Sequence, residues 1–281
     1  LWTTLVNLGV AADEPIMTHL RPLSVGNALL DYTPGFYGVT VTGGTTGTRG
    51  PLGESLVLAA GDFMEFTGAY ERVEVFAYKA AGQGTLEIRF NGASAYASAN
   101  YDGATELDAY SNFGVTGQSA SGTYRITAVG GSVDISALVR DGVMATATAT
   151  SKRRLRTFRA ARGSYLFSSF TSTRITSITK IASQWGGKCV PILALGTNDM
   201  FTASPATIAT NAGAVIDLLQ AAGVERIFGI PPARPGASWN ASFVGQNYDA
   251  AAGAICKVYR DRGVKIIPAG QEFAAQGLTL D

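Results

Sequence analysis

Val190-Pro191-Ile192-Leu193-Ala194-Leu195 is an apolar run that ends on Gly196-Thr197-Asn198-Asp199, and its reading decides how the rest of the chain is organised. A short apolar stretch bounded by a glycine turn predicts a strand buried on both faces, the kind from which parallel sheets are built. Helix signals follow it directly. Ser204-Pro205 suits an N-cap with proline at the first helical position; Ile208, Ala212, Val215 and Leu219 then recur at helical spacing, and Gly223 supplies a left-handed stop.

Working outward, Arg226 to Ile230 predicts a further strand that runs into Pro231-Pro232. Tyr248, Ala252, Ile255 and Tyr259 stripe a helix closed by Gly263, and Val264 to Pro268 predicts the last strand. Upstream, Leu155 to Ala160 is a candidate strand, followed by a helix with Ile175, Ile178, Ala182 and Trp185 on one face. The order β-α-β-α-β-α-β predicts an α/β fold with a doubly wound, mostly parallel sheet. Trp2, Leu5 and Leu8 predict one more helix of that layer within Leu1 to about Tyr32. A doubly wound sheet is normally opened by a central strand, so the pattern predicts that residues precede Leu1 in the natural protein.

Between about Phe36 and Gly142 the texture differs: Gly, Thr, Ser and Tyr dominate, and short alternating segments are separated by turn signals. Val73, Val75 and Ala77 alternate with Glu74, Phe76 and Tyr78; Leu86, Ile88 and Phe90 alternate with Glu87, Arg89 and the turn residue Asn91, which precedes Gly92. Tyr124 to Ala128 and Val133 to Val139 alternate likewise, joined by Gly130-Gly131. This predicts an antiparallel β-sandwich inserted into a discontinuous α/β domain. The expected division is residues 1–35 and 143–281 for the α/β domain and 36–142 for the sandwich.

Composition narrows the partners. The 281 residues are 46% hydrophobic and 15% charged, enough apolar content for sizeable cores and far from the composition of a disordered chain. Twenty-two basic residues against 21 acidic ones give a net charge of +1, which provides no field to gather phosphate backbones or anionic lipid. No nucleic-acid partner and no membrane insertion are expected, since the apolar runs are far shorter than a bilayer span. Two cysteines, Cys189 and Cys256, make no disulfide scaffold and read as inert thiols. P-loop, dinucleotide-binding and paired-Cys metal motifs are absent, so no cofactor and no metal are expected.

The chemistry centres on Gly196-Thr197-Asn198-Asp199. Ligands of open α/β sheets bind beyond the carboxyl ends of the strands, and a tight glycine turn there lets a short amide reach the crevice. An asparagine so placed can donate its NH₂ to a developing oxyanion.

On these residues the sequence resembles the SGNH (GDSL-type) hydrolases. Leu193 to Asp199 is similar to that family's third block, whose Asn is an oxyanion-hole donor. Arg162-Gly163-Ser164 resembles the second block, whose Gly offers its backbone N–H to the same hole, and Gly277-Leu278-Thr279-Leu280-Asp281 resembles the approach to the fifth, where Asp-x-x-His ends the domain. Leu1-Trp2-Thr3-Thr4-Leu5 resembles the helix that follows the Gly-Asp-Ser block. The resemblance implies a flavodoxin-like three-layer α/β/α domain and a serine esterase with Asp281, Asn198 and Gly163 as site residues. It places the nucleophilic Ser just upstream of Leu1 and the catalytic His just past Asp281. Two departures stand out. Gly61-Asp62-Phe63 has Phe where a hydroxyl is needed, and His19, the one histidine, is far from the expected position.

The arrangement also resembles the esterase modules of bacteriophage tailspikes and tail fibres, which remove acetyl groups from bacterial surface polysaccharide. That implies a polysaccharide partner, an extracellular or virion location, and a homotrimer. Within the sandwich, Tyr96, Tyr101 and Tyr110, set among Asn100, Asp102, Asp108 and Asn112, are candidate sugar contacts. A non-catalytic glycan-binding or receptor-binding protein on the same scaffold is the alternative, and a purely structural particle protein is the third.

Overall fold

A computed structural model describes residues 16–19, 39–93, 95, 97–114, 121–142, 165–184, 189–232 and 248–268. The chain divides into two compact units, Leu1–Arg162 and Gly163–Asp281.

The first unit holds eleven strands among the described residues: β1 (Ile16–His19), β2 (Val39–Thr42), β3 (Thr45–Gly47), β4 (Ser55–Leu58), β5 (Phe63–Gly68), β6 (Tyr70–Lys79), β7 (Thr85–Phe90), β8 (Ala97–Asn100), β9 (Glu106–Gly114), β10 (Gly122–Val129) and β11 (Val133–Gly142). They form two antiparallel sheets. One runs β3-β4-β11-β6-β9, with β1 also paired to β11; the other runs β2-β5-β10-β7-β8. The alternation read in the sequence sets the inward faces. Leu56, Leu58, Val73, Val75, Val133 and Ile135 on one sheet share a core with Met64, Phe66, Leu86, Ile88, Tyr124 and Ile126 on the other. Burying each of the Val, Leu, Ile, Met and Phe side chains among these is worth about 1.5–3 kcal/mol. The turns follow the residues that prefer them: Asn91 and Gly92 take φ of 49° and 72°, and Gly130 takes 73°.

Strand β6 differs from a half-buried strand. Its outward Glu74 and Phe76 are as buried as its inward Val73 and Val75. The pairing of Ile16–His19 with Ala137–Arg140 of β11 has no forerunner in the sequence pattern, which is too short there to carry a period.

The second unit holds helices α1 (Ser172–Ser183), α2 (Asp199–Thr202), α3 (Pro205–Ala221) and α4 (Tyr248–Asp261), a 3-10 turn at Phe167–Ser169, and strands β12 (Ile192–Leu193), β13 (Phe228–Gly229) and β14 (Lys265–Ile266). The strands pair in parallel in the order β12-β13-β14. Helix boundaries fall where the caps place them: Ser204 accepts the Thr207 N–H, and Gly223 and Gly263 stop α3 and α4 at φ of 84° and 72°.

The expected doubly wound, mostly parallel three-layer α/β/α fold is corrected by these sheets. Among the described residues the antiparallel sheets dominate, and the parallel sheet has three strands of two residues each. The strand predicted over Val190 to Leu195 is not buried on both faces either, since Val190 is 48% and Ile192 53% exposed. Hydropathy identified a strand and its crossovers, but an apolar run carries no information on how many neighbours its strand finds. The candidate strand Leu155 to Ala160, the segment around Trp2 and Trp185 itself lie outside the described residues.

Candidate functional site

The residues beyond the carboxyl end of β12 form the candidate site. Gly196 turns the chain at φ of +112°, and a Cβ there would meet Ile255 Cδ1 at 2.6 Å and Pro232 Cγ at 3.0 Å. Only glycine fits that conformation and that space. The turn delivers Asn198 to the N-cap of α2, half-buried, where its Nδ2 donates to the Tyr165 carbonyl at 3.1 Å. The amide has two N–H groups, and among the described residues the second has no partner.

Asp199, the next residue, is 1% exposed. Both of its carboxylate oxygens accept from the Phe167 N–H, each at 3.2 Å. Burial pushes its carboxyl above the ordinary value, opposed by the Phe167 N–H and its own backbone N–H. Residues 198–199 and 165–167 are therefore joined in both directions, with a side-chain donor going one way and a side-chain acceptor the other. Tyr165 is itself fixed by an edge-on contact with Phe170 at 5.7 Å and by the Arg174 guanidinium 5.0 Å from its ring. Nothing in the sequence distinguishes Asp199 from an ordinary helix-opening carboxylate, which is why its buried role escapes pattern reading.

Of the other predicted site residues, Gly163 and Asp281 lie outside the described residues, as does Tyr96. Tyr101 is 1% exposed and donates to Ser111 Oγ at 2.8 Å, so its ring belongs to the sandwich core. Tyr110 is half-buried, packs on Phe76 at 5.4 Å and donates to Glu74 Oε1 at 2.9 Å. Asp62 of Gly61-Asp62-Phe63 ties a turn, accepting from the Gly44 and Ala59 N–H groups at 2.8 and 3.0 Å. His19 sits in β1 opposite Ala137 of β11. Cys189 and Cys256 are free and half-buried, and burial raises both thiols, the opposite of an activated nucleophile. Among the described residues no group of three or more His, Cys, Asp or Glu is placed to hold a metal ion. No described helix is long and apolar enough to cross a membrane.

No protein-family model matches the sequence, and no curated protein matches it. Among solved structures, a peptidoglycan O-acetylesterase shares its fold with 94% of this chain, spanning 70% of that protein, at a TM-score of 0.56 and 14% identity. A family two carbohydrate esterase from Cellvibrio japonicus overlaps 91% of this chain and 88% of its own at a TM-score of 0.33 and 12% identity. The C-terminal CBM6 module of a Zobellia galactanivorans laminarinase overlaps 45% of this chain and 98% of its own at 0.32 and 8%. Likenesses as loose as the last two define neither fold nor activity.

Proposed function

We propose that this chain is the scaffold of a serine esterase that removes acetyl groups from a polysaccharide, with Asn198 as an oxyanion-hole donor. One observation carries the reading: a half-buried amide stands on a glycine turn beyond the carboxyl end of a parallel strand, with one N–H anchored on Tyr165 and the other without a partner among the described residues. The fold likeness to a protein described as a peptidoglycan O-acetylesterase supports it. In acyl transfer a Ser attacks the ester carbonyl, a His takes its proton, and a carboxylate orients the imidazole and stabilises its charged form. Asp281 is proposed for that last role and Gly163 for the second oxyanion donor. The finer setting, an SGNH-family module of a phage tailspike acting on a bacterial surface glycan as a homotrimer, rests on the sequence resemblance alone.

The alternative is that the chain is a non-catalytic glycan-binding or receptor-binding protein on the same scaffold.

Hydrolysis of acetyl esters by the protein as its gene encodes it separates the two. Asn198→Ala should lower kcat on the order of 100-fold or more, the usual effect of losing one oxyanion donor. An active wild type whose rate is indifferent to Asn198→Ala would remove Asn198 from the mechanism. A wild type that binds acetylated polysaccharide without releasing acetate would favour the alternative.

A further inference from the structure

Asp199 is a poor choice for a residue that only holds a loop. It is 1% exposed, and its carboxylate takes one neighbouring N–H, that of Phe167, on both oxygens at 3.2 Å. A buried carboxylate served by so few donors costs more in desolvation than a neutral amide of the same shape would. Its placement gives it a further role. The Phe167 N–H it accepts lies two residues from the Tyr165 carbonyl, and that carbonyl accepts from Nδ2 of Asn198, the residue next to Asp199 in the chain. The four residues close a loop of interactions: Asn198 to Tyr165, along the backbone to Phe167, back to Asp199, and along the backbone to Asn198.

Such a loop has one free consequence. An asparagine on a turn can rotate about χ2, which would exchange its oxygen and nitrogen and present an acceptor where a developing oxyanion needs a donor. The Tyr165 carbonyl can only accept, so it selects the orientation with nitrogen inward. It does so only while the Tyr165–Phe167 backbone is held at the right distance.

We propose that Asp199 is a positioning residue for the Asn198 amide: by fixing the Tyr165–Phe167 backbone it anchors one Asn198 N–H on the Tyr165 carbonyl and commits the other to the substrate oxygen. This deepens the esterase reading and rests on it only where turnover is measured. A misplacement of about 1 Å in a positioned group can lower turnover by about 100-fold, so the effect is large enough to read.

The test uses Asp199→Ala and Asp199→Asn in the protein as its gene encodes it, with two readouts. In kinetics on an acetyl ester, Asp199→Ala should lower kcat by about 10- to 100-fold with KM changed by less than about twofold. Asp199→Asn, whose side-chain oxygen still accepts the Phe167 N–H, should recover most of that loss. In nuclear magnetic resonance, the Asn198 side-chain NH₂ signals, assigned by their disappearance in Asn198→Ala, should exchange with solvent at least about tenfold faster in Asp199→Ala and near the wild-type rate in Asp199→Asn. Unchanged Asn198 signals in Asp199→Ala overturn the proposal. So does a natively folded Asp199→Asn whose Asn198 signals are as labile as those of the alanine variant, an outcome that also decides the matter if Asp199→Ala does not fold. If the wild type hydrolyses no ester, the esterase reading fails while the resonance readout still decides the positioning role.

Discussion

Asp134, on β11, shows how a single buried carboxylate sets a pH dependence. It is 9% exposed, pairs with Arg49 Nε at 3.3 Å, and lies close enough to the buried Asp108 to be affected by its charge. Burial raises its carboxyl above the ordinary value, with Asp108 adding to the rise and the Ser55 hydroxyl and Arg49 opposing it. The folded protein thus holds a proton that the unfolded chain has already released. The stability this contributes is complete below the unfolded value of 3.8 and is lost as pH climbs through the raised folded value. Asp134→Asn cannot titrate, so its urea-unfolding free energy should decline less steeply than the wild type's as pH rises from the ordinary carboxylate range toward neutrality. An identical slope in both proteins would assign the titration elsewhere. Individual residues differed in how legible they were. The position of Asn198, past a strand and a glycine turn, was readable because the three fall in order along the chain. Asp199 and Asp134 were not, because burial of a carboxylate depends on partners brought from 32 residues away or from another strand.

Among the elements, helix α3 is the one whose start, apolar stripe and stop were written locally, and its N-terminus can be tested by itself. Ser204 Oγ accepts the Thr207 N–H at 3.2 Å, Pro205 follows at the first position, and Ile208, Ala212, Val215, Ile216 and Leu219 are all buried. Ser204→Ala removes the acceptor and leaves the N–H to water, which should destabilise the protein by about 1 kcal/mol in urea unfolding. A change near zero would mean that solvent replaces the cap. The strands of the same unit were less legible. Ladder bonds run beyond the paired residues, from Phe228 N to Pro191 O at 3.0 Å and from Ile230 N to Leu193 O at 2.8 Å. Pro191 has no N–H to return, so the regular pairing of β12 stops short of the apolar run that announced it. In the sandwich the two-residue period was reliable for β7 and β10, but β11 and β6 shift register between Ile135 and Ala137, and a bulge of that kind leaves no mark in a hydropathy pattern.

At the scale of the whole molecule, the sequence separated an antiparallel part from a part of alternating strands and helices, and misjudged their weight. Turn residues and alternation are local signals, so β6, β7, β10 and β11 could be read one by one. The size of a sheet is a sum over distant pairings such as β1 with β11, which no local window contains. Net charge is a global property that the sequence does supply. With 22 basic and 21 acidic residues the molecule has almost no monopole to steer a charged ligand or to release counterions on binding. On the proposed esterase reading, recognition of a polysaccharide then depends on short-range hydrogen bonds and apolar contacts, which salt screens little. Acetate release from a neutral acetylated polysaccharide should therefore change by less than about twofold between about 50 and about 500 mM sodium chloride, and duplex DNA should show no binding at physiological salt. A rate or affinity that falls tenfold across that range would show instead that a local basic surface governs the encounter, and that the partner carries negative charge.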